Sequence, residues 1–198
     1  MRRNIMLDID GCIANFNRSF MSYLNQKYDA GRDQDVEPNS YVFEEWGLNI
    51  NMEEASQRFI TSGEFRRVEP YTGAKEFVGK LTELGNVHIV TARIGDFKNK
   101  FSPETIEKIK NDTINWFQDN EIPTNGEVIF DHRKVDLCLD KGISIIIDDK
   151  LSTALEAAKN GIHAILVNRA WNQHPDRVKV YRSYNFDDVL NIVRKLSQ

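Results

Sequence analysis

Cysteine is scarce in this chain: only Cys12 and Cys138 occur among 198 residues. Their separation gives neither a disulfide framework nor a thiolate metal knuckle, and such usage suits a reducing compartment. No stretch approaches the roughly 18 apolar residues of a membrane span. Positive charge is not in excess either, because 26 Lys and Arg stand against 30 Asp and Glu, a formal net charge of −4. A binder of long nucleic acid needs a basic field that this chain lacks. Internal repeats and low-complexity segments are also missing. Met1-Arg2-Arg3-Asn4-Ile5 runs directly into a strand pattern with no signal-like apolar segment, so a cytoplasmic location without membrane partners is expected. A small anionic substrate met by a local cation is compatible with all of these absences.

What is present is a globular composition, 40% hydrophobic and 28% charged, in a length suited to one domain and a modest insert. Strand-like apolar runs recur at 4–8, 86–91, 127–130, 144–148 and 162–167. Helical patterns separate most of them. Residues 73–84 set Phe77, Val78, Leu81 and Leu84 on one face and stop at Gly85, expected as a left-handed C-terminal residue. Ser102-Pro103 opens a helix running to about 119 that is expected to bury Ile106, Ile109, Ile114 and Phe117. Ser152 is expected to cap a third helix ending near Asn160-Gly161, and 186–196 reads as a last amphipathic helix. Alternating strands and helices predict an α/β fold with a parallel sheet and right-handed crossovers.

One interval breaks that alternation. Residues 12–72 hold no convincing β run, only helical patterns at 12–28, 41–46 and 52–61 around a polar connection from Asp29 to Ser40. The expected division is an α/β core of residues 1–15 and 73–198 with a small helical cap at 16–72. Such a cap would lie over the carboxyl edge of the sheet, where open α/β folds bind ligands.

The chemistry concentrates at strand ends. Asn4-Ile5-Met6-Leu7 leads into Asp8-Ile9-Asp10-Gly11. Strand alternation would turn Asp8 and Asp10 to one side, where two carboxylates repel unless a cation lies between them. A hard divalent ion with oxygen ligands is the simple remedy. Taken alone, D-x-D-G also describes a solvated turn. Val87-His88-Ile89-Val90 ends in Thr91-Ala92-Arg93, where a hydroxyl beside free N–H groups can hold a phosphoryl oxygen. Ile143-Ser144-Ile145-Ile146-Ile147 ends in Asp148-Asp149, of which Asp149 could instead cap the helix beginning near Ser152. Asp131-His132-Arg133-Lys134 precedes that strand, and Lys134 could reach back to neutralise phosphate, with Arg133 and Lys141 as rivals.

The order strand-D-x-D-G, strand-T, lysine, strand-D-D resembles the haloacid dehalogenase (HAD) superfamily of phosphotransferases over nearly the whole chain. Within it the chain is similar to the 5′(3′)-deoxyribonucleotidase group. The stretches that carry this are Asp8-Ile9-Asp10-Gly11-Cys12-Ile13-Ala14-Asn15-Phe16, Glu69-Pro70-Tyr71-Thr72-Gly73-Ala74, Ile89-Val90-Thr91-Ala92-Arg93, Ile146-Ile147-Asp148-Asp149 and Val167-Asn168-Arg169-Ala170-Trp171-Asn172. It departs from that group at Cys12, where valine is usual, and at Asn15, where aspartate is usual.

The resemblance implies a HAD-like Rossmannoid three-layer fold and a Mg²⁺-dependent phosphomonoesterase acting on (deoxy)nucleoside monophosphates. Asp8 would be the nucleophile and metal ligand, and Asp10 the general acid and base, its backbone carbonyl meeting the metal. Asp148 would supply a second carboxylate, with Asp149 as direct or water-mediated support. Thr91, Ala92 and Lys134 would bind the transferring group. Phe16 matches an aromatic that meets the base, and Phe43, Tyr41, Trp46 and Phe65 are further candidates for stacking. Cys12 has no histidine neighbour and reads as a small buried residue. Trp171 and Asn172, in a loop after the last strand, read as braces of the sheet edge. A homodimer is one form the resemblance implies. Two other readings remain at this point: a phosphatase of a sugar phosphate, and a silent nucleotide-binding module.

Overall fold

The computed structural model describes residues 3–95, 100–173 and 180–197. Six strands, β1 (Arg3–Leu7), β2 (Gly85–Thr91), β3 (Val128–Phe130), β4 (Ile145–Asp148), β5 (His163–Val167) and β6 (Tyr181–Ser183), form one sheet in the order β3-β2-β1-β4-β5-β6. All the pairings are parallel. Strand order reverses beside β1, which is where such sheets open a ligand crevice at their carboxyl edge.

Strand side chains alternate between two cores. Ile5, Leu7, Ile89, Ile147 and Ile165 join the helices α1 (Phe16–Tyr28), α2 (Met52–Thr61), α3 (Ala74–Leu84), α4 (Pro103–Asp119) and α7 (Phe186–Leu196). Met6, Val90, Ile146, Ala164 and Leu166 pack on the other face with α5 (Lys134–Asp140) and α6 (Leu151–Lys159). A parallel sheet covered on both faces explains why its strands read as near-continuous apolar runs. The result is the expected α/β, three-layer arrangement.

Several local expectations need correction. The first helix starts at Phe16 rather than residue 12, because Cys12, Ile13 and Ala14 turn their N–H groups back onto the Ile9 carbonyl. Asn15 then caps it through Oδ1 to the Arg18 N–H, 3.3 Å. The 41–46 pattern is a single 3-10 turn at Phe43–Trp46. Gly85 is not a left-handed cap; its φ of −168° is extended and it opens β2. A Cβ there would come within 2.6 Å of the Arg3 carbonyl and 2.8 Å of Ile5 Cδ1, so glycine is needed for close approach rather than for a turn.

Ser152 caps nothing: α6 begins at Leu151, with Lys150 in the cap position and no side-chain cap. On α4 the buried stripe is Ile109, Thr113, Trp116 and Phe117, while Ile114 is 40% exposed. Residue 114 lies off the face set by 109, 113, 116 and 117. A second 3-10 turn (Glu64–Arg67) and the short edge strand β6 had no apolar run to announce them. The Trp171 loop therefore follows β5 and precedes β6.

The helices between β1 and α3 contribute an aromatic cluster. Phe20 is fully buried, with ring centroids 5.2 Å from Phe43, 5.2 Å from Phe59 and 6.0 Å from Trp46. Phe16 sits at the sheet side of this cluster, 5.5 Å from Phe20 and 6.2 Å from Phe43. Packed aromatic pairs of this sort hold a small helical segment rigid without a sheet of its own.

Candidate active site

Asp8 continues β1 past Leu7, its N–H donating to the Ile147 carbonyl at 3.0 Å. It therefore sits at the carboxyl edge between β2 and β4. Lys134, the first residue of α5, reaches under that edge and places Nζ 2.8 Å from Asp8 Oδ2 and 2.7 Å from Asp148 Oδ2. All three side chains are buried. The rivals lie elsewhere, Arg133 on Asp131 at 3.4 Å and Lys141 on Glu127 at 2.7 Å.

Asp148 and Asp149 face different neighbours, as adjacent residues at a strand end should. Asp148 spends both oxygens on protein donors, Oδ2 on Lys134 and Oδ1 on the Lys150 N–H at 2.8 Å. Asp149 turns toward β1 instead. Its Oδ2 accepts from Trp171 Nε1 at 2.9 Å, and its main-chain carbonyl accepts from Asn172 Nδ2 at 2.8 Å. A carboxylate oxygen of Asp149, one of Asp8 and Cys12 Sγ lie within 4.8 Å of one another. Gly11 makes room for this: its φ is +76°, and a Cβ would fall 2.2 Å from Asp149 Oδ2. Trp171, read from sequence as an edge brace, thus holds the Asp149 side chain, while Asn172 holds the Asp149 main chain and the Val167 carbonyl at 2.8 Å and so braces the sheet edge as expected.

The electrostatics follow from that crowding. Burial, together with Asp148 and Asp10, pushes the Asp8 carboxyl up to about 7 despite the opposing pull of Lys134. Asp149 is also pushed well above the usual carboxylate range, by burial first and then by Asp148 and Asp8. For Lys134, burial works against the ammonium form, but Asp148 and Asp8 outweigh it and the net direction is upward. Burial, Asp149 and Asp8 all push the Cys12 thiol up, so it stays protonated at neutral pH. Positive charge is in deficit around Asp8 and Asp149, and these two carboxylates with Cys12 form a group that could hold a metal ion.

Asp10 is gripped by a residue to which sequence reading assigned no role. Arg93 donates Nε and Nη2 to its two oxygens, both at 2.8 Å. The guanidinium is buried beneath Phe65, 4.5 Å from the ring centroid, and donates Nη1 to Thr113 Oγ1 at 3.3 Å. This is a bidentate, charge-assisted pair in a fixed plane. The only cue in the sequence was an arginine two positions beyond Thr91.

Asp8, Asp10, Thr91, Ala92 and Lys134 line one cavity of about 330 Å³. Phe16, Tyr41, Phe43, Ile60 and Phe65 form its other wall. Trp46 does not reach it and lines a separate hollow of the 32–46 segment. Concavities of about 490 and 740 Å³ exist elsewhere but contain none of these carboxylates at strand ends. The chemistry is therefore in the smaller cavity. Tyr41 is more than half exposed as a residue, yet burial at the hydroxyl end and the charges of Asp149 and Asp8 push its phenol upward.

A family model described as 5′ nucleotidase, deoxy (pyrimidine), cytosolic type C matches residues 2–197. The chain belongs to this nucleotidase family. It is a phosphoric monoester hydrolase of the 5′(3′)-deoxyribonucleotidase kind. A nucleotidase of Clostridium acetobutylicum is 26% identical over 197 residues, 98% of this chain and 94% of the relative. A Chlorobaculum tepidum protein assigned by name to the 5′(3′)-deoxyribonucleotidases is 24% identical over 96% of this chain and 89% of its own. Among solved structures, L-2-haloacid dehalogenase from Xanthobacter autotrophicus has a TM-score of 0.58 at 10% identity, covering 98% of this chain and 99% of that one. A D,D-heptose 1,7-bisphosphate phosphatase from B. bronchiseptica, complexed with magnesium and phosphate, has a TM-score of 0.56 at 14% identity with the same coverage. Both share the fold of the HAD hydrolases.

In this nucleotidase the loop that carries Asp8 and Asp10 is tied to the 16–72 segment by backbone hydrogen bonds between residues 13–15 and 69–71 and by the Arg169 side chain. Arg169 donates Nε to the Gly11 carbonyl at 2.7 Å, lies 3.9 Å from the Tyr71 ring centroid and places Nη1 3.6 Å from Glu37. Glu37 also accepts from the Ala170 N–H at 3.1 Å. Among the described residues no helix is long and apolar enough to cross a membrane.

Proposed function

We propose that the chain is a Mg²⁺-dependent phosphomonoesterase of (deoxy)nucleoside monophosphates, acting through an aspartyl phosphate on Asp8. The observation that carries this reading is the two-sided cavity: a floor of Asp8, Asp10, Thr91 and Lys134 facing a wall of Phe16, Phe43 and Phe65. A phosphate fits the first side and a flat base the second. A sugar phosphate would leave the aromatic wall without a partner, and a silent binder has no use for a crowded nucleophile.

The donor set fits a hard divalent ion. Asp8 and Asp149 would hold it, with the Asp10 main-chain carbonyl as a third oxygen, while the protonated Cys12 thiol is a poor partner for Mg²⁺. When bound, the ion screens the carboxylates from the phosphate dianion and stabilises charge on the phosphoryl oxygens.

The remaining steps belong to the protein. An Asp8 oxygen attacks phosphorus in line, and the P–O bond to the nucleoside breaks as the departing alkoxide takes the proton of Asp10. A water then attacks the phosphoryl group, gives its proton to Asp10 and frees Asp8. Thr91 and the Ala92 N–H hold the transferring oxygens. Lys134 keeps Asp8 and Asp148 apart in charge and fixes the nucleophile's rotamer. The 16–72 segment keeps water off the leaving group.

The test is a panel of deoxynucleoside, ribonucleoside and sugar monophosphates assayed with Mg²⁺ and with chelator. Turnover is expected to need the metal and to favour nucleotides. Equal rates on sugar phosphates would overturn the substrate reading, and metal-independent release would overturn the mechanism.

Trp171→Phe offers a separate check on the ion. It removes the hydrogen bond that orients Asp149 while keeping an aromatic body in place. Loss of such an orienting partner typically costs about 10–100-fold in metal affinity. Calorimetric titration with Mn²⁺ or Mg²⁺ should therefore show weakening of at least about tenfold. An unchanged metal affinity would mean that Trp171 only packs the sheet edge.

A further inference from the structure

The cations of the cavity are nearly all committed to carboxylates. Lys134 lies between Asp8 and Asp148. Arg93 is locked onto Asp10, and His132, a cation only when protonated, lies 3.9 Å from Asp131. Among the described residues, Lys150 is the lining cation with no carboxylate partner. Its ammonium instead sits over the Tyr41 ring, 5.1 Å from the centroid, while its backbone N–H is spent on Asp148. The side chain is exposed, and it projects from the turn between β4 and α6 into the same cavity as Thr91 and Asp8.

The charge balance makes this arrangement meaningful. With all four carboxylates ionised, Asp8, Asp10, Asp148 and Asp149 face Lys134 and Arg93 with an excess of two negative charges, and of one when Asp10 carries the proton it later donates. A divalent cation brings that cluster to neutrality, or to a single positive charge with Asp10 protonated. A phosphomonoester dianion entering next is therefore not balanced by the cluster alone, because Lys134 is already shared by two carboxylates. Lys150 is the cation left to meet it, and the flexible stem of lysine allows it to leave one face of Tyr41 for a phosphoryl oxygen. A cation held over an exposed ring is retained only weakly, less strongly than a charge-assisted hydrogen bond to phosphate would hold it.

We propose that Lys150 is a phosphate-binding residue of this nucleotidase, parked on Tyr41 in the free enzyme and transferred to the phosphoryl group of the bound substrate. The inference rests on the reading of this cavity as a phosphomonoester site. It assigns to Lys150 the binding role usually sought in the buried lysine, and leaves Lys134 to organise the carboxylates.

The experiment measures inhibition by inorganic phosphate, with Mg²⁺ present, alongside KM and kcat for the best substrate of the panel. Lys150→Met is expected to raise the phosphate inhibition constant and KM by about tenfold, the value of one lost charge contact, with kcat changed much less. Lys150→Arg keeps the charge and should stay within about threefold of the parent. Tyr41→Leu removes the parking place and should leave phosphate affinity intact or slightly improved. A phosphate inhibition constant unmoved by Lys150→Met overturns the proposal. So does an equal loss in Lys150→Arg, or a loss in Tyr41→Leu that matches Lys150→Met, since the lysine would then act only by holding the tyrosine. Failure of the parent enzyme to hydrolyse any phosphomonoester would instead end the functional reading itself, so the two failures are told apart.

Discussion

Asp8→Asn should lower turnover by roughly 10³-fold or more while the protein stays folded. The loss is expected to be this large because no neighbouring group can replace the nucleophile. Asp10 is clamped by Arg93, Asp148 has both oxygens bonded, and the Cys12 thiol is held protonated. Asparagine keeps an acceptor for Lys134, which also retains Asp148, so the packing around the lysine survives.

The same variant carries a stability signature whose sign follows from the raised Asp8 carboxyl. In the metal-free folded chain that group titrates near 7, against about 3.9 in an unfolded one. Between those values the folded state holds a proton that the unfolded state has released, so stability falls as pH rises through the window. The full span corresponds to at most about 4 kcal/mol from this one group. Asparagine does not titrate. With chelator present, Asp8→Asn should therefore gain melting temperature relative to the parent between pH 5 and pH 8. Asp149 contributes a slope of the same sign in both proteins, smaller in the variant because Asp8 no longer pushes it up, so the difference reports Asp8 together with its coupling to Asp149. Parallel melting curves across that range would show that the carboxyl is not under the strain inferred here, and substantial residual turnover would end the covalent scheme.

Much of the site was legible because its residues stand where apolar runs stop. Asp8, Thr91 and Asp148 each terminate a buried parallel strand, and a sheet edge collects strand ends from distant parts of a chain. The expected α/β sheet followed from the same runs. What escaped were relations without local periodicity. The Arg93–Asp10 pair joins positions 83 apart, and nothing in either segment encodes which acid an arginine will meet. Trp171 read as a brace, yet only the fold shows that the braced atom is a carboxylate oxygen of Asp149. Asp148 and Asp149 had to diverge by strand alternation, but their assignment depended on where α5 placed Lys134. Tyr181-Arg182-Ser183 forms an edge strand with no apolar signature because its neighbours, not its own side chains, complete the sheet. Gly85 misled in its conformation only: it does cap α3, its N–H donating to the Leu81 carbonyl, but in an extended rather than a left-handed backbone, and a glycine is needed there because the neighbouring strand's carbonyl excludes a side chain.

Asp10→Asn should separate the two halves of the reaction by the choice of leaving group. With a nucleotide, the departing alkoxide is strongly basic and needs a proton, so loss of the acid should slow phosphoryl transfer by about 10²–10⁴-fold. With an activated aryl phosphate the leaving phenolate needs no proton, and the first step should proceed close to the parent rate. Hydrolysis of the aspartyl phosphate still requires a base to activate water. The variant is therefore expected to release one equivalent of phenol per active site in a burst and then stall, with phosphate retained on Asp8. A burst is the kinetic mark of a covalent intermediate whose breakdown limits turnover. Arg93 bears on the same measurement, because its two hydrogen bonds set the plane of the Asp10 carboxyl. Asparagine can accept only one of them, so part of the loss on nucleotides reflects orientation. Arg93→Lys, which keeps the charge but not the fork, should slow the nucleotide reaction without producing a burst on the aryl ester. Steady release of phenol by Asp10→Asn near the parent rate, with no burst, would place Asp10 outside the second step and leave the water to another base.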